Sequence, residues 1–156
     1  MSVLKVVNIG AFGHSAEVIT QVGQTKDTKL VALAPAYEQE DCKMLLDYPD
    51  CPEDVQMFED YEQMLDDIRP DVTIVSTRLD LIPEIAIQAA NAKSNLILEK
   101  PLALTENALK KLYEAVKQNN VKLMAMLSMR AMPHYIAAQE VCASGPDRGR
   151  RAQIPW

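Results

Sequence analysis

Short apolar runs typical of β-strands alternate along this chain with stretches whose apolar residues recur at helical spacing. The predicted strands are residues 3–9, 29–34, 55–58, 71–77, 95–98 and 121–127. The predicted helices are residues 17–22, 38–48, 61–68, 83–93, 105–118 and 132–143. About six alternations of this kind, without repeats or low-complexity segments, predict an α/β fold with a doubly wound, mostly parallel sheet.

The apolar run at residues 96–98 is followed directly by Glu99, Lys100 and Pro101. In open α/β sheets ligands bind outside the carboxyl ends of the strands, so we expect Glu99 and Lys100 at the rim of a binding site. Pro101 lacks an N–H group and disfavours a helical conformation at Lys100, which ends the strand there. A surface ion pair that closes a strand is the alternative interpretation.

A glycine-containing turn joins the first predicted strand to the first predicted helix. Gly10 occupies the first position of the pattern G-x-G-x-x-G/A, whose glycines let the backbone approach a pyrophosphate at a helix N-terminus. Phe12 occupies the second glycine position, and Gly13 shifts the close approach by one residue. The pattern indicates a dinucleotide-binding turn, with a simple strand-to-helix turn as the alternative.

The second predicted strand ends at Ala34 without the acid that usually binds a ribose. That acid is expected about 20 residues beyond the glycine turn. The sequence has Pro35 and Ala36 there, and the nearest acid is Glu38. Because neither a carboxylate nor an arginine directly follows the strand, we expect weak binding with little discrimination between NAD and NADP.

Composition argues against several classes of function. A net charge of −6 is unfavourable for general binding to nucleic acids or anionic membranes, and no apolar run approaches the roughly 20 residues that span a bilayer. Three widely spaced cysteines and two histidines fit neither a disulfide framework nor a zinc site. The first residues lack a signal-peptide pattern, so we expect a cytoplasmic protein with free thiols and no metal.

Residues from about Val3 to Gly149 resemble the N-terminal domain of the glucose–fructose oxidoreductase, inositol dehydrogenase and rhizopine-catabolism (Gfo/Idh/MocA) family. The most specific part of the resemblance is the motif at residues 99–105, Glu-Lys-Pro-Leu-Ala-Leu-Thr. Residues 60–65, followed by 71–75, are also similar to the family's pattern. The resemblance implies a Rossmann NAD(P)-binding fold and NAD or NADP as cofactor.

The same resemblance assigns roles to individual residues. It implies that Lys100 is catalytic, because the lysine of the family motif lies near the nicotinamide and the substrate and helps to polarise the reacting oxygen. The cofactor-binding residues that it implies are Gly10, Phe12, Gly13, His14, Thr77, Arg78, Glu99, Pro101 and Arg130. The chain departs from the family after the fourth strand, where Arg78 and Ile82 stand in place of a usual proline and histidine.

Family members continue into a second α/β domain that completes the substrate site and usually carries a catalytic histidine. This chain has 156 residues and ends about where that domain begins, so we expect the second domain to be absent. We expect residues 1–145 to form the NAD(P)-binding domain and residues 146–156 to be a truncated junction or tail.

The resemblance implies the nucleotide-binding domain of an NAD(P)-dependent oxidoreductase that acts on a hydroxyl-bearing substrate such as a sugar or cyclitol. We expect the chain by itself to be inactive. Its expected partner is a small-molecule substrate of the full-length parent. We expect it to bind neither nucleic acids nor membranes. Homo-oligomerisation is left open. The alternative is a non-catalytic dinucleotide-binding, scaffold or regulatory protein.

Overall fold

The structure of the protein, a computed structural model, describes residues 3–48 and 50–144. The strands are β1 (Leu4–Ile9), β2 (Thr28–Ala34), β3 (Gln56–Met57), β4 (Val72–Val75), β5 (Asn95–Leu98) and β6 (Leu123–Ala125). The α-helices are α1 (Ser15–Gly23), α2 (Tyr61–Ile68), α3 (Ile82–Asn91), α4 (Glu106–Asn119) and α5 (Pro133–Ser144). Two short 3-10 helices span Lys43–Asp47 and Ser128–Ala131.

The six strands form one sheet in the order β3-β2-β1-β4-β5-β6, and each neighbouring pair is parallel. The predicted doubly wound α/β fold is therefore confirmed. The chain runs outward from β1 in one direction and from β4 in the other. A crevice forms at the carboxyl ends of the strands where the order reverses in this way, which makes the end of β1 and β4 the expected place for a ligand.

Alternating side chains of the central strands enter two hydrophobic clusters, one on each face of the sheet. Ile9, Val75 and Leu98 pack in the cluster that includes buried residues of α2, α3 and α4. Val6 and Ile74 pack in the other cluster, which includes buried residues of α1. Burial of each large aliphatic side chain contributes about 1.5–3 kcal/mol, so this packing fixes the strands whose ends carry the site.

Contacts divide the chain into two compact units, Met1–Met126 and Leu127–Trp156. The first unit contains the sheet and helices α1 to α4. The second contains, in its described part, the 3-10 helix Ser128–Ala131 and helix α5. The predicted boundary after residue 145 and the predicted tail at 146–156 lie outside the described residues. Among the helices that the structure describes, none has the length and apolar character needed to cross a membrane.

Helix α2 begins and ends where the sequence predicts. The side chain of Asp60 accepts hydrogen bonds from the N–H groups of Glu62 at 2.8 Å and Gln63 at 3.4 Å. These donors have no partner within the helix, and an N-cap carboxylate satisfies them and interacts favourably with the helix dipole.

We expect Asp60→Ala to lower the free energy of unfolding by about 1 kcal/mol, the usual effect of removing an N-cap side chain. Urea unfolding followed by circular dichroism measures this change. Glu59→Ala is the matched control, because Glu59 is an exposed acid directly before the cap. An equal loss in both variants would contradict the capping role of Asp60.

The helix predicted at residues 38–48 is wrong: an irregular loop leads instead to the 3-10 helix Lys43–Asp47. The N–H group of Lys43 donates to Oδ1 of Asp41 at 2.9 Å, and the carboxylate of Glu40 accepts hydrogen bonds from other loops. Side chains of this kind compete with helical hydrogen bonds for the backbone. Tertiary contacts therefore determine the conformation of this segment.

The structure also shows which apolar side chains of α4 and β6 are buried. On α4, Leu112 and Ala115 are buried, whereas Leu109 and Tyr113 are exposed, because the buried face is rotated toward Ala115. On the edge strand β6, Met124 is exposed, and Met126 beyond the strand is buried.

Candidate functional site

The turn after β1 lies against the end of β4, and Gly10 makes this approach possible. Its φ of +90° lies in the left-handed region, and an added Cβ would lie 2.5 Å from the carbonyl oxygen of Ser76. The N–H of Gly10 donates to the carbonyl of Ala34 at 2.9 Å, and the N–H of Phe12 donates to the carbonyl of Ser76 at 2.9 Å. The turn is thus bonded to the strands on both sides of β1.

Glu99, directly after β5, holds the same turn from the other side. Its Oε2 accepts the N–H of His14 at 2.8 Å, and His14 Nδ1 lies 2.8 Å from Oε2 and 3.0 Å from Oε1. Oε1 also accepts the N–H of Lys100 at 3.0 Å, and Ser76 Oγ donates to Oε2 at 3.3 Å. Only 1% of Glu99 is exposed. This buried carboxylate therefore connects the residues that follow β1, β4 and β5.

The charge on Glu99 is stabilised although the side chain is buried. Burial alone raises the pKa of this carboxyl and is the largest single influence on it. Hydrogen bonds from the backbone and ring of His14 and from the N–H of Lys100 together outweigh burial, and the pKa is lowered below its usual value. Glu99 is therefore ionised at neutral pH. Gly13 leaves room for it, since an added Cβ there would overlap the carboxylate.

Lys100 presents a cation at the same edge of the sheet. Its side chain is 54% exposed, and its Nζ lies 3.7 Å from Oε1 of Glu99. The Lys100–Pro101 peptide bond is cis. The ammonium group is accessible to a ligand while its own backbone N–H is anchored on the buried Glu99 carboxylate.

Glu40 also bonds to the glycine turn, from the loop that follows β2. Its Oε1 accepts the N–H of Ala11 at 3.2 Å and the hydroxyl of Thr77 at 2.9 Å. Its Oε2 accepts the N–H of Ala36 at 2.8 Å. No local pattern in the sequence singles out Glu40, because its role depends on how the loop folds. The sequence feature that points to Glu40 is the group of acids that follows the second strand.

A cavity of about 550 Å³ opens beyond the ends of β2 and β3 and is lined in part by Tyr37, Glu40 and Cys42. The Cys42 Sγ donates to the carbonyl of Ala34 at 3.5 Å, and burial is the main reason that the pKa of this thiol rises to about 12. The Cys42 thiol in the cavity wall is thus protonated at neutral pH and does not act as a nucleophile. The Arg78 guanidinium lies 5.3 Å from the centroid of the Tyr37 ring.

The structure brings most of the predicted site residues to one edge of the sheet. The residues that meet there are Gly10, Phe12, Gly13, His14, Thr77, Glu99 and Lys100. Arg78 follows Thr77 and contacts Tyr37, and Pro101 follows Lys100. Arg130 lies in the second compact unit, on the 3-10 helix Ser128–Ala131, and its part in the site stays a prediction. The binding and catalytic roles of all these residues likewise stay predictions.

The residues at this edge of the sheet match a dinucleotide site in their arrangement. Their hydrogen-bonding groups match such a site only in part. The strand, glycine turn and helix are the arrangement that places phosphates at a helix N-terminus, and the adjacent cavity has the size of a small-molecule site. The N–H groups of Ala11 and His14 already donate to Glu40 and Glu99, so phosphates would share the turn with two carboxylates. The predicted weak binding of a dinucleotide stays a prediction.

Within residues 3–48 and 50–144, no group of three or more His, Cys, Asp or Glu side chains could hold a metal ion. The cysteines described there, Cys42, Cys51 and Cys142, are free thiols.

Comparison with solved structures supports the fold. The chain superposes on scyllo-inositol dehydrogenase from Lactobacillus casei, solved with NAD(H) and scyllo-inositol, with a TM-score of 0.75 and 20% identity over 92% of this chain and 42% of that one. A 3-ketoreductase from Actinomadura kijaniata, solved with NADP, gives a TM-score of 0.78 and 16% identity over 92% of this chain and 43% of that one. At these identities the similarity shows the shared fold.

Sequence comparison gives the family. Levoglucosan dehydrogenase of Pseudarthrobacter phenanthrenivorans is 38% identical over 88 residues, which are 55% of this chain and 22% of that protein. The chain thus spans about a fifth of that relative's length. Residues 4–127 match the profile described as an oxidoreductase family with an NAD-binding Rossmann fold. With the parallel sheet, the glycine turn and the Glu-Lys-Pro motif at one edge, this match shows that the chain belongs to the Gfo/Idh/MocA oxidoreductase family, of which it contains the NAD-binding domain.

Proposed function

We propose that this domain serves an NAD(P)-dependent oxidoreductase that transfers a hydride to or from a hydroxyl-bearing substrate such as a sugar or cyclitol. The observation that carries the proposal is the position of Lys100, which is exposed and anchored through Glu99 to the turn that would hold the cofactor. The names of two similar proteins, levoglucosan dehydrogenase and scyllo-inositol dehydrogenase, support the substrate class.

Each residue at the edge has a distinct task in this proposal. The turn at Gly10 and Gly13 would accept the phosphates, and Thr77 would border the cofactor. A bound nicotinamide supplies the hydride acceptor or donor. Lys100 would place its ammonium against the reacting oxygen, where a positive charge stabilises the negative charge that develops during hydride transfer. Glu99 would hold the Lys100 backbone in place and would remain ionised.

Catalysis also requires the reacting carbon to be held about 3–3.5 Å from the nicotinamide. Lys100 supplies one polar contact to a substrate. We propose that the opposite wall of the pocket and the general acid–base come from residues outside this 156-residue sequence. His14 is poorly placed for that role, because its ring is bonded to Glu99.

We expect the purified 156-residue chain to bind NAD+ or NADP+ in calorimetry but to produce no NADH or NADPH from any polyol. We expect Lys100→Ala to leave the affinity for the cofactor within about twofold, because Lys100 would contact the substrate. Lys26→Ala, at an exposed lysine away from this edge, is the matched control. In a full-length relative, alanine at the matching lysine should lower turnover at least about a hundredfold, as loss of a group that stabilises the developing charge does.

Two results would contradict this proposal. Steady NADH production by the 156-residue chain, abolished by Lys100→Ala, would show that the domain is a complete enzyme. Absence of binding to both dinucleotides would remove the proposed cofactor.

A non-catalytic dinucleotide-binding, scaffold or regulatory protein is the second candidate, and Phe12 favours it. Its side chain stands at the second glycine position of the turn and is 57% exposed. A bulky group there restricts the approach of phosphates. Phe12→Gly distinguishes the candidates: tighter binding of NAD+ or NADP+ would identify Phe12 as an obstacle to the cofactor, whereas unchanged binding would remove this support for the second candidate.

A further inference from the structure

The loop between β2 and the 3-10 helix Lys43–Asp47 folds back on the glycine turn through one side chain, Glu40. Its carboxylate receives hydrogen bonds from Ala11, Thr77 and Ala36, at distances of 3.2, 2.9 and 2.8 Å. These donors belong to the loops that follow β1, β4 and β2. A single half-buried carboxylate therefore lies where three loops at the carboxyl edge of the sheet meet.

The carboxylate retains capacity for a ligand. An ionised carboxylate offers about four acceptor positions. Of the three bonds described for Glu40, two are made by Oε1 and one by Oε2. Glu40 also lines the cavity of about 550 Å³. A ligand in this cavity that brings a hydroxyl donor would find an acceptor on Oε2.

A ribose diol is the hydroxyl donor that suits this position. In dinucleotide-binding folds, an acid near the end of the second strand accepts the 2′-hydroxyl of the adenosine ribose. Here the strand ends at Ala34, and the following Pro35 and Ala36 offer no acid. We infer that Glu40 supplies the ribose-binding carboxylate from within the loop and that it makes this site select NAD(H) over NADP(H). This inference rests on the proposed function and departs from the weak discrimination that the sequence predicts.

The charge around the cavity supports the same selection. The ionisable acids and the lysine that line it are Glu38, Glu40, Asp41, Glu59, Asp60 and Lys43. The 2′-phosphate of NADP carries about −1.5 to −2 charges at neutral pH, like other phosphomonoesters. Placing it beside Glu40 would juxtapose like charges and would leave the carboxylate without a hydroxyl donor.

Arg78 is the nearby cation that could oppose this selection. Its Nη2 lies 2.6 Å from Oδ2 of Asp80, and its guanidinium is above the ring of Tyr37. A 2′-phosphate would have to draw Arg78 away from Asp80. The competing assignment, in which Arg78 binds the phosphate of NADP, is therefore a defined outcome of the test.

The test is calorimetric titration of the 156-residue chain, Glu40→Gln and Glu38→Gln with NAD+ and NADP+. Glu38→Gln is the matched control because it removes one negative charge from the same cavity at a side chain without a described bond to the glycine turn. We expect the unaltered chain to bind NAD+ at least tenfold more tightly than NADP+. Glu40→Gln should lose about tenfold in NAD+ affinity and little in NADP+ affinity, and Glu38→Gln should retain the preference.

A second probe keeps the test valid if Glu40→Gln disturbs the loop. NAD+ that lacks the 2′-hydroxyl of the adenosine ribose should bind the unaltered chain about tenfold more weakly than NAD+ itself. Equal binding of the two would overturn the inference. An equal loss of NAD+ and NADP+ affinity in Glu40→Gln would overturn it as well, because it would show a purely structural role.

The remaining outcomes separate this inference from the proposed function. Binding of NAD+ and NADP+ within threefold of each other would overturn the selection by Glu40 and leave the proposed function standing. A preference for NADP+ that disappears in Arg78→Gln would also overturn it and would assign the phosphate contact to Arg78. Failure of all variants to bind either dinucleotide would overturn both proposals.

Discussion

Gly10→Ala is expected to lower the free energy of unfolding by about 3 kcal/mol or more and to abolish binding of dinucleotides. The left-handed backbone costs a non-glycine residue about 1–2 kcal/mol. The added methyl group would also lie 2.5 Å from the Ser76 carbonyl oxygen and 2.7 Å from Cβ of Thr77. Both neighbours directly follow the central strand β4. Relief therefore requires movement of the backbone, and overpacking of this kind costs about 1–3 kcal/mol.

Urea unfolding followed by circular dichroism measures the loss, and calorimetry with NAD+ measures binding. Gln24→Ala is a suitable control, since Gln24 is exposed at the end of α1 and such surface changes alter stability by at most about 0.5 kcal/mol. An unfolding midpoint of Gly10→Ala equal to that of the unaltered chain would show that the turn is not crowded as described.

Glu99→Gln is expected to lower the free energy of unfolding at neutral pH by about 2–4 kcal/mol, as loss of a buried charged partner does. The carboxylate accepts N–H groups of His14 and Lys100 and the hydroxyl of Ser76. An amide in its place turns an NH2 group toward some of these donors. The buried polar groups around it would then lose acceptors that water cannot replace.

The same variant has a predictable pH dependence. The pKa of Glu99 is lower in the folded chain than its ordinary value of 4.5, so the ionised form favours folding. This contribution is fully present above about pH 4.5 and disappears as the pH falls through the lower pKa of the folded state. The difference in unfolding free energy between the unaltered chain and Glu99→Gln should therefore narrow in acid.

Other acids make a comparison between variants necessary. Hydrogen bonding to Lys29 lowers the pKa of Asp54, and hydrogen bonding to Arg78 lowers that of Asp80. The unaltered chain and the variant share Asp54 and Asp80, so the contributions of these two acids cancel in the difference between the two proteins. Glu114→Gln, at an exposed carboxylate of α4, serves as the control. A difference between the unaltered chain and Glu99→Gln that is independent of pH would contradict the ionised state assigned to Glu99.

The architecture was predictable because local and global preferences agree over most of the chain. Helix α2 carries its cap, Asp60, in the sequence, and β5 is a short apolar run that ends at a charged pair and a proline. For both elements the predicted and observed bounds are the same. Each of these signals acts within a few residues, which is the range that sequence patterns can represent.

The candidate site was predictable only where a motif identifies it. Glu99 and Lys100 stand in a specific motif, and the structure places them beside the glycine turn. The position of Glu40 depends on contacts with Ala11 and Thr77, which are distant in the sequence, and these contacts also prevent the predicted helix at 38–48. The charge of Glu99 likewise depends on donors from His14, which no local pattern reveals.

The pairing of β1 with β4 has a consequence for the order of folding. This pairing aligns Val6 with Val72, so it closes a long chain segment, and the entropy of loop closure opposes it. The glycine turn lies at the end of one of these strands and Ser76 and Thr77 at the end of the other. Ribosomal synthesis supplies the first strand well before the fourth, and the nascent chain acquires its nucleotide crevice only when the two halves of the sheet join.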